Sequence, residues 1–230
     1  MNNIASSIQS IQQQVNDAAV RSGRSADQVT IVAVSKTKPA QAVRDAYAVG
    51  MRIFGENRIQ EAEGKIAELN DLEAQWHLIG HLQTNKVKKV VPLFTLIHSV
   101  DSPKLIKALE SEAAKRDATV SILLQLNLSG EESKFGADIS EFEKLLGALQ
   151  EAPHLLCKGL MTIPPFVDDP EDVRQYFRNL RELGEQYHND IVGKNNQLEL
   201  SMGMTNDFQV AIEEGSTMVR IGTAIFGGRY

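Results

Sequence analysis

The stretch TIVAVSKTKP, residues 30–39, runs four apolar residues, Ile31 to Val34, straight into Ser35 and Lys36. An amine at the end of a buried strand is costly to desolvate unless its charge is neutralised or its nitrogen is used. A partly buried lysine loses basicity and becomes a nucleophile toward carbonyl compounds. Two stretches near the C-terminus offer complementary chemistry. LELSMGMTNDFQVAIEEGS places Ser201 at the end of an apolar run, with Gly203 behind it and a helical pattern from about Asn206. MVRIGTAIFGG places Arg220, Gly222 and Thr223 in the same manner. A hydroxyl, backbone N–H groups beside a glycine and a helix start all favour an oxyanion. The plainer alternatives are tight turns at Gly203 and Gly222, a surface lysine at position 36, and a carboxylate-paired arginine at 220.

The elements that must position these groups alternate regularly. An amphipathic helix within residues 1–22 carries Ile4, Ile8, Ile11, Val15 and Ala18 at helical spacing. Apolar runs then predict strands near 31–35, 52–54, 76–79, 94–98, 120–126, 157–161, 198–200 and 217–221. Helical patterns fall between them, near 40–49, 57–69, 85–91, 103–116, 140–150, 170–189 and 206–214. Pro39 and Gly50 bracket one helix, Ser102-Pro103 opens another, and Gly215 stops the last. Eight strand–helix alternations call for parallel strands joined by right-handed crossovers. An open doubly wound sheet would want a glycine-rich fingerprint after its first strand, and VSKTKP has none. The expected fold is therefore one α/β domain spanning 1–230, a single (β/α)8 barrel with an added N-terminal helix. Such a barrel gathers its chemistry at the C-terminal strand ends, where Lys36, Asn57, Ser201, Arg220, Gly222 and Thr223 all fall.

Composition narrows the function classes. The 230 residues are 42% hydrophobic and 23% charged, enough to bury a sizeable core. A net charge of −6 argues against a nucleic-acid surface, which needs a clustered basic face. Lys86, Lys88 and Lys89 read as a solvated helix face. No apolar run approaches the roughly 18 residues of a membrane span. The N-terminus MNNIASSIQSIQQQ lacks the character of a signal peptide. Cys157 is the single cysteine, so no intrachain disulfide forms, and a cytoplasmic location is expected. His77 and His81 flank a strand end without a third ligand, so no metal site is expected.

A nucleophilic amine opposite an anion cradle invites a ligand carrying both an aldehyde and a phosphate. Pyridoxal 5′-phosphate (PLP) is such a molecule. The segments AVSKTKP, FGENRIQE, WHLIGHLQTNK, SGEESKFG, GLMTI and LSMGMTNDFQVAIEEGSTMVRIGTAIFG together resemble the pyridoxal phosphate homeostasis proteins, also called the YggS or PROSC family. The resemblance runs from about residue 30 to the end, with six separated motifs in the same order. It implies the fold of the alanine racemase N-terminal barrel and a PLP-binding role in vitamin B6 and amino-acid balance, without an established reaction. Position by position, it implies a Schiff base on Lys36, phosphate contacts from Ser201, Gly222 and Thr223, and Arg220 facing the pyridine nitrogen. Asn57 is placed near the cofactor, and Thr205 stands where family members often have serine. An arginine beside the ring nitrogen leaves it unprotonated, which makes a weaker electron sink than a carboxylate partner would.

Three functions compete on these grounds: a PLP holder that buffers the cofactor or delivers it to apo-enzymes, an amino-acid racemase, and a Schiff-base aldolase. The chain stops at Tyr230, with no length for the β-rich domain that supplies alanine racemases with a second base and a dimer contact. A non-catalytic monomer is the expectation. The 129–136 loop reads as a lid over the mouth, with Lys134 able to approach a phosphate.

Overall fold

The computed structural model describes residues 4–131 and 135–228. Eight strands, all parallel, close into a barrel in sequence order: β1 (Thr30–Val34), β2 (Ile53–Glu56), β3 (Gln75–Leu78), β4 (Leu96–Val100), β5 (Val120–Leu126), β6 (Leu155–Thr162), β7 (Glu199–Met204) and β8 (Met218–Ile221). The ring shuts where β8 pairs with β1, with Thr30 opposite Met218 and Ala33 opposite Ile221. Helices α2 (Ala40–Ala48), α3 (Ile59–Glu68), α4 (Val87–Val90), α5 (Pro103–Lys115), α6 (Phe142–Gln150), α7 (Arg174–Gln186), α8 (His188–Ile191) and α9 (Phe208–Glu213) carry the crossovers. Before them, α1 (Ile4–Arg21) buries Ile8, Ile11, Val15, Ala18 and Ala19 against α2, α9 and α10 (Thr223–Phe226). All eight strands and the N-terminal helix agree with the periodicity of the sequence.

Local chemistry explains several boundaries. Ser102 Oγ accepts the Leu105 N–H at 3.3 Å, with Pro103 as the first residue of α5. Three expectations differ. The helix near 85–91 is a 3₁₀ turn (Thr84–Lys86) followed by the single turn of α4. The region 170–189 divides into a 3₁₀ turn capped by Asp169, then α7 and α8. Finally, β7 continues to Met204 instead of ending near residue 200. Most of the core lies between barrel and helices. A separate cluster of Leu96, Leu123, Met161 and Met218 fills the barrel interior toward the end where β4 and β8 begin. Polar side chains occupy the interior above it.

Candidate functional site

A cavity of about 460 Å³ opens at the C-terminal end of the barrel. Lys36, which follows β1, Asn57, which follows β2, and Arg220, Gly222 and Thr223 at the end of β8 share its wall. Five of the six expected residues therefore meet in one place. The rest of the lining is largely apolar, with Val34, Ile79 and the 163–167 loop, where Phe166 is 82% exposed at the rim.

Asn57 is held by close backbone packing. A Cβ on Gly80 would stand 2.3 Å from the Asn57 carbonyl oxygen, so only glycine lets the end of β3 pass this close. Among the described residues the buried Asn57 Oδ1 has no hydrogen-bond partner, which leaves an unsatisfied acceptor on a residue of the cavity wall. At the other end, Gly222 and Thr223 start α10, and Ile225 and Phe226 donate back to the Gly222 carbonyl at 3.0 and 2.9 Å. The first N–H groups of such a turn have no acceptor behind them and are available to a ligand oxygen.

Arg220 is 3% exposed and donates to neutral groups. Its guanidinium reaches the Ser201 carbonyl at 2.7 Å, Ser201 Oγ at 2.6 Å and the Thr162 carbonyl at 2.9 Å. Among the described residues no carboxylate lies within ion-pair distance of it; Asp207 acts only at longer range, and its Oδ1 accepts the Met204 N–H at 2.6 Å. Burial pulls the guanidinium down to about 10, and Asp207 opposes that shift only in part. A buried cation without a counter-charge favours a ligand that brings negative charge or an electron pair.

Ser201, expected at the phosphate cradle, is not on the cavity wall. Because β7 runs on to Met204, Ser201 is its third residue and sits fully buried inside the barrel. Thr205, just past the strand, takes the place at the wall. The Ser201 hydroxyl instead joins a column of hydrogen bonds. His98 Nδ1 lies 2.9 Å from Ser201 Oγ, and His98 Nε2 lies 3.0 Å from His77 Nδ1. Arginine can only donate, so Ser201 Oγ accepts from Arg220, and its hydrogen or its second lone pair faces His98 Nδ1. Each neutral ring carries one hydrogen, so at the contact between the two histidines one nitrogen donates and the other accepts. Both rings are neutral: burial holds His77 down to about 4 and His98 well below the ordinary histidine value. TLIHSV puts a histidine inside an apolar strand, which points to a buried ring but not to its partners.

Other polar residues at strand ends lie away from the cavity. His81 approaches Asp101 at 3.4 Å and stacks on Phe135 with ring centres 4.1 Å apart. Lys134, expected in a lid, lies outside the described residues. Among the described residues no group of three or more histidine, cysteine or carboxylate side chains is placed to hold a metal ion. Nor is any helix of the described residues long and apolar enough to cross a membrane. An amine, a cation without a counter-charge, free backbone donors and an orphaned acceptor in a space of this size fit a small phosphorylated aldehyde.

Comparison with known proteins agrees with this geometry. The family model for the alanine racemase N-terminal domain matches residues 7–230. A pyridoxal phosphate homeostasis protein of Aquifex aeolicus is 43% identical over 218 residues, covering 94% of each chain. One from Pseudomonas aeruginosa is 42% identical over 230 residues, all of this chain and 97% of its own. The chain belongs to the pyridoxal phosphate homeostasis protein family. Among solved structures, PipY of Synechococcus elongatus with PLP bound, 37% identical, superimposes with a TM-score of 0.83 over 97% of this chain and 100% of that one. The fold extends beyond the homeostasis family. Alanine racemase from Corynebacterium glutamicum shares it at a TM-score of 0.73 and 18% identity, over 99% of this chain and 61% of the racemase.

Proposed function

We propose that this protein holds pyridoxal 5′-phosphate, attached through Lys36, and buffers it or passes it to apo-enzymes without catalysing a reaction of its own. The observation that carries this reading is the pairing of Lys36 with the uncompensated Arg220 cation and the Gly222–Thr223 backbone in one cavity. When bound, the cofactor supplies an aldehyde that an amine attacks reversibly. Lys36 Nζ is the attacking group. The N–H groups at Gly222 and Thr223, with the Thr205 hydroxyl, take the phosphate oxygens. Arg220 would hold the ring nitrogen side of the cofactor and, as a donor only, would not protonate it. Ser201 acts one layer down, by holding Arg220. The 163–167 loop supplies apolar lining to the cavity.

Racemisation is disfavoured by what the walls lack. A two-base proton transfer needs an acid–base group opposite Lys36. Among the described lining residues the other titratable groups are Arg220 and Asp207, and the Asp207 carboxylate is engaged with the Met204 N–H. Borohydride trapping of the loaded protein, followed by peptide mapping, tests the attachment. The label is expected on Lys36 and absent from Lys36→Ala, which retains residual phosphate-anchored affinity. Label at full level on that variant overturns the assignment. D-alanine formed from L-alanine above the Lys36→Ala background would overturn the non-catalytic role. Delivery is tested by mixing holo-protein with a defined apo-enzyme. Activity should return faster than free cofactor, released at the measured off-rate, can restore it.

A further inference from the structure

Both backbone neighbours of Lys36 are gripped from behind, by one cluster between the barrel wall and α3. On one side, Ser35 Oγ donates to Glu56 Oε1 at 2.6 Å, and Lys65 Nζ donates to the Ser35 carbonyl at 2.8 Å. On the other, the Thr37 N–H donates to Glu61 Oε1 at 2.5 Å. Lys65 ties the two sides together, 2.5 Å from Glu56 Oε1 and 3.2 Å from Glu61 Oε1. Side chains alternate along the strand end, so Val34 and Lys36 reach the cavity while Ser35 turns away into this cluster. None of Ser35, Glu56, Glu61 or Lys65 lines the cavity.

Thr37 has φ +63°, in the left-handed region that a β-branched residue rarely enters. Such a conformation persists only where the surroundings over-determine it, and the Glu61 contact does so here. Glu56 and Lys65 are almost wholly buried, an arrangement that an apolar pair of similar volume would replace without loss of stability. What an apolar pair could not do is hold the Ser35 carbonyl and hydroxyl.

We propose that Glu56, Lys65 and Glu61 form a positioning cluster that fixes residues 35–37 and thereby aims the Lys36 amine into the cavity before any carbonyl arrives. The inference rests on Lys36 as the attachment point. Pre-set geometry at the nucleophile speeds bond formation without altering the contacts that hold the rest of a ligand.

Glu61→Ala is the informative variant, because it frees the Thr37 N–H and leaves the Lys65–Glu56 pair in place. Pyridoxine 5′-phosphate, which has an alcohol where PLP has an aldehyde, reads the non-covalent contacts alone. Glu61→Ala should slow formation of the borohydride-trappable bond by about tenfold and raise hydrogen exchange at the Thr37 amide by a similar factor. Its affinity for pyridoxine 5′-phosphate should stay within about twofold, and Glu61→Gln, whose amide oxygen still accepts, should recover most of the rate. An unchanged rate, an equal loss for both ligands, or no recovery with Glu61→Gln overturns the proposal. Should the wild-type protein form no bond at Lys36 with PLP, the functional reading falls separately. Labelling of Lys36 by glyoxylate and borohydride then judges the cluster: slower labelling in Glu61→Ala supports it, and equal labelling sinks it.

Discussion

Two buried polar clusters flank the cavity, and they handle charge in opposite ways. Behind Lys36, outside the barrel wall, Lys65 sits against Glu56 and Glu61, so its charge is met by carboxylates at contact distance. Inside the barrel, Arg220 is bonded, among the described residues, to carbonyls and a hydroxyl, and the column beneath it ends in two neutral histidines. The first cluster pairs its cation at contact and has geometry to offer. The second leaves a positive charge that only a ligand or the longer-range field of Asp207 offsets. A protein that must both place an amine and attract an anionic molecule has divided those tasks between separate sets of residues.

The contrast breaks most visibly in stability. Lys65→Ala strands a buried carboxylate and should cost about 3–5 kcal/mol in urea denaturation. Arg220→Met removes a charge that has no ionic partner and leaves only neutral acceptors unpaired, so it should cost about 1–3 kcal/mol. The reverse order would contradict the division of roles. Next in size is Gly80→Ala, whose added methyl must push back the Asn57 carbonyl now 2.3 Å from its position. Overpacking of this kind should cost about 2 kcal/mol and weaken cofactor binding measured by titration.

The histidine column sharpens the comparison through pH. Its rings are held neutral by burial, His77 down to about 4. Below the unfolded value of about 6.5 the unfolded chain takes up protons that the folded chain refuses. The stability is present above that value and is lost as pH falls toward 4, at about 1.4 kcal/mol per pH unit per histidine. Between pH 6.5 and 4.5 the loss at His77 should reach about 2–3 kcal/mol. His77→Gln should flatten that slope, measured as urea midpoints across pH. The smallest effect is expected far from both clusters. Asp71→Asn disrupts the exposed pair with Arg44, and its cost should stay below about 0.5 kcal/mol in the same assay.

The barrel was legible because parallel strands buried on both faces read as unbroken apolar runs, and each is followed here by a helical period. Strand ends put Lys36, Asn57, Arg220, Gly222 and Thr223 at the mouth among other polar residues, and the family resemblance singled these five out. Ser201 does not reach the mouth, because its position depends on where β7 stops. In LELSMGM the serine reads as a polar stop and Gly203 as a turn, so the apolar pattern ends the strand several residues early. His77 and His98 were also hidden: a histidine in an apolar run states nothing about its partner until the barrel closes and brings strands three, four and seven together. The cluster behind Lys36 depends on α3 folding back over β2, a tertiary contact with no local signature.

The direction of the hydrogen bonds beneath Arg220 has one more consequence. The guanidinium at the top of the column can give hydrogens but never take one. The floor of the cavity at Arg220 thus presents charge and hydrogens to a bound molecule, but no base. A proton that such a molecule gives up has to go sideways to Lys36 or Asp207, or outward to solvent past the Phe166 rim.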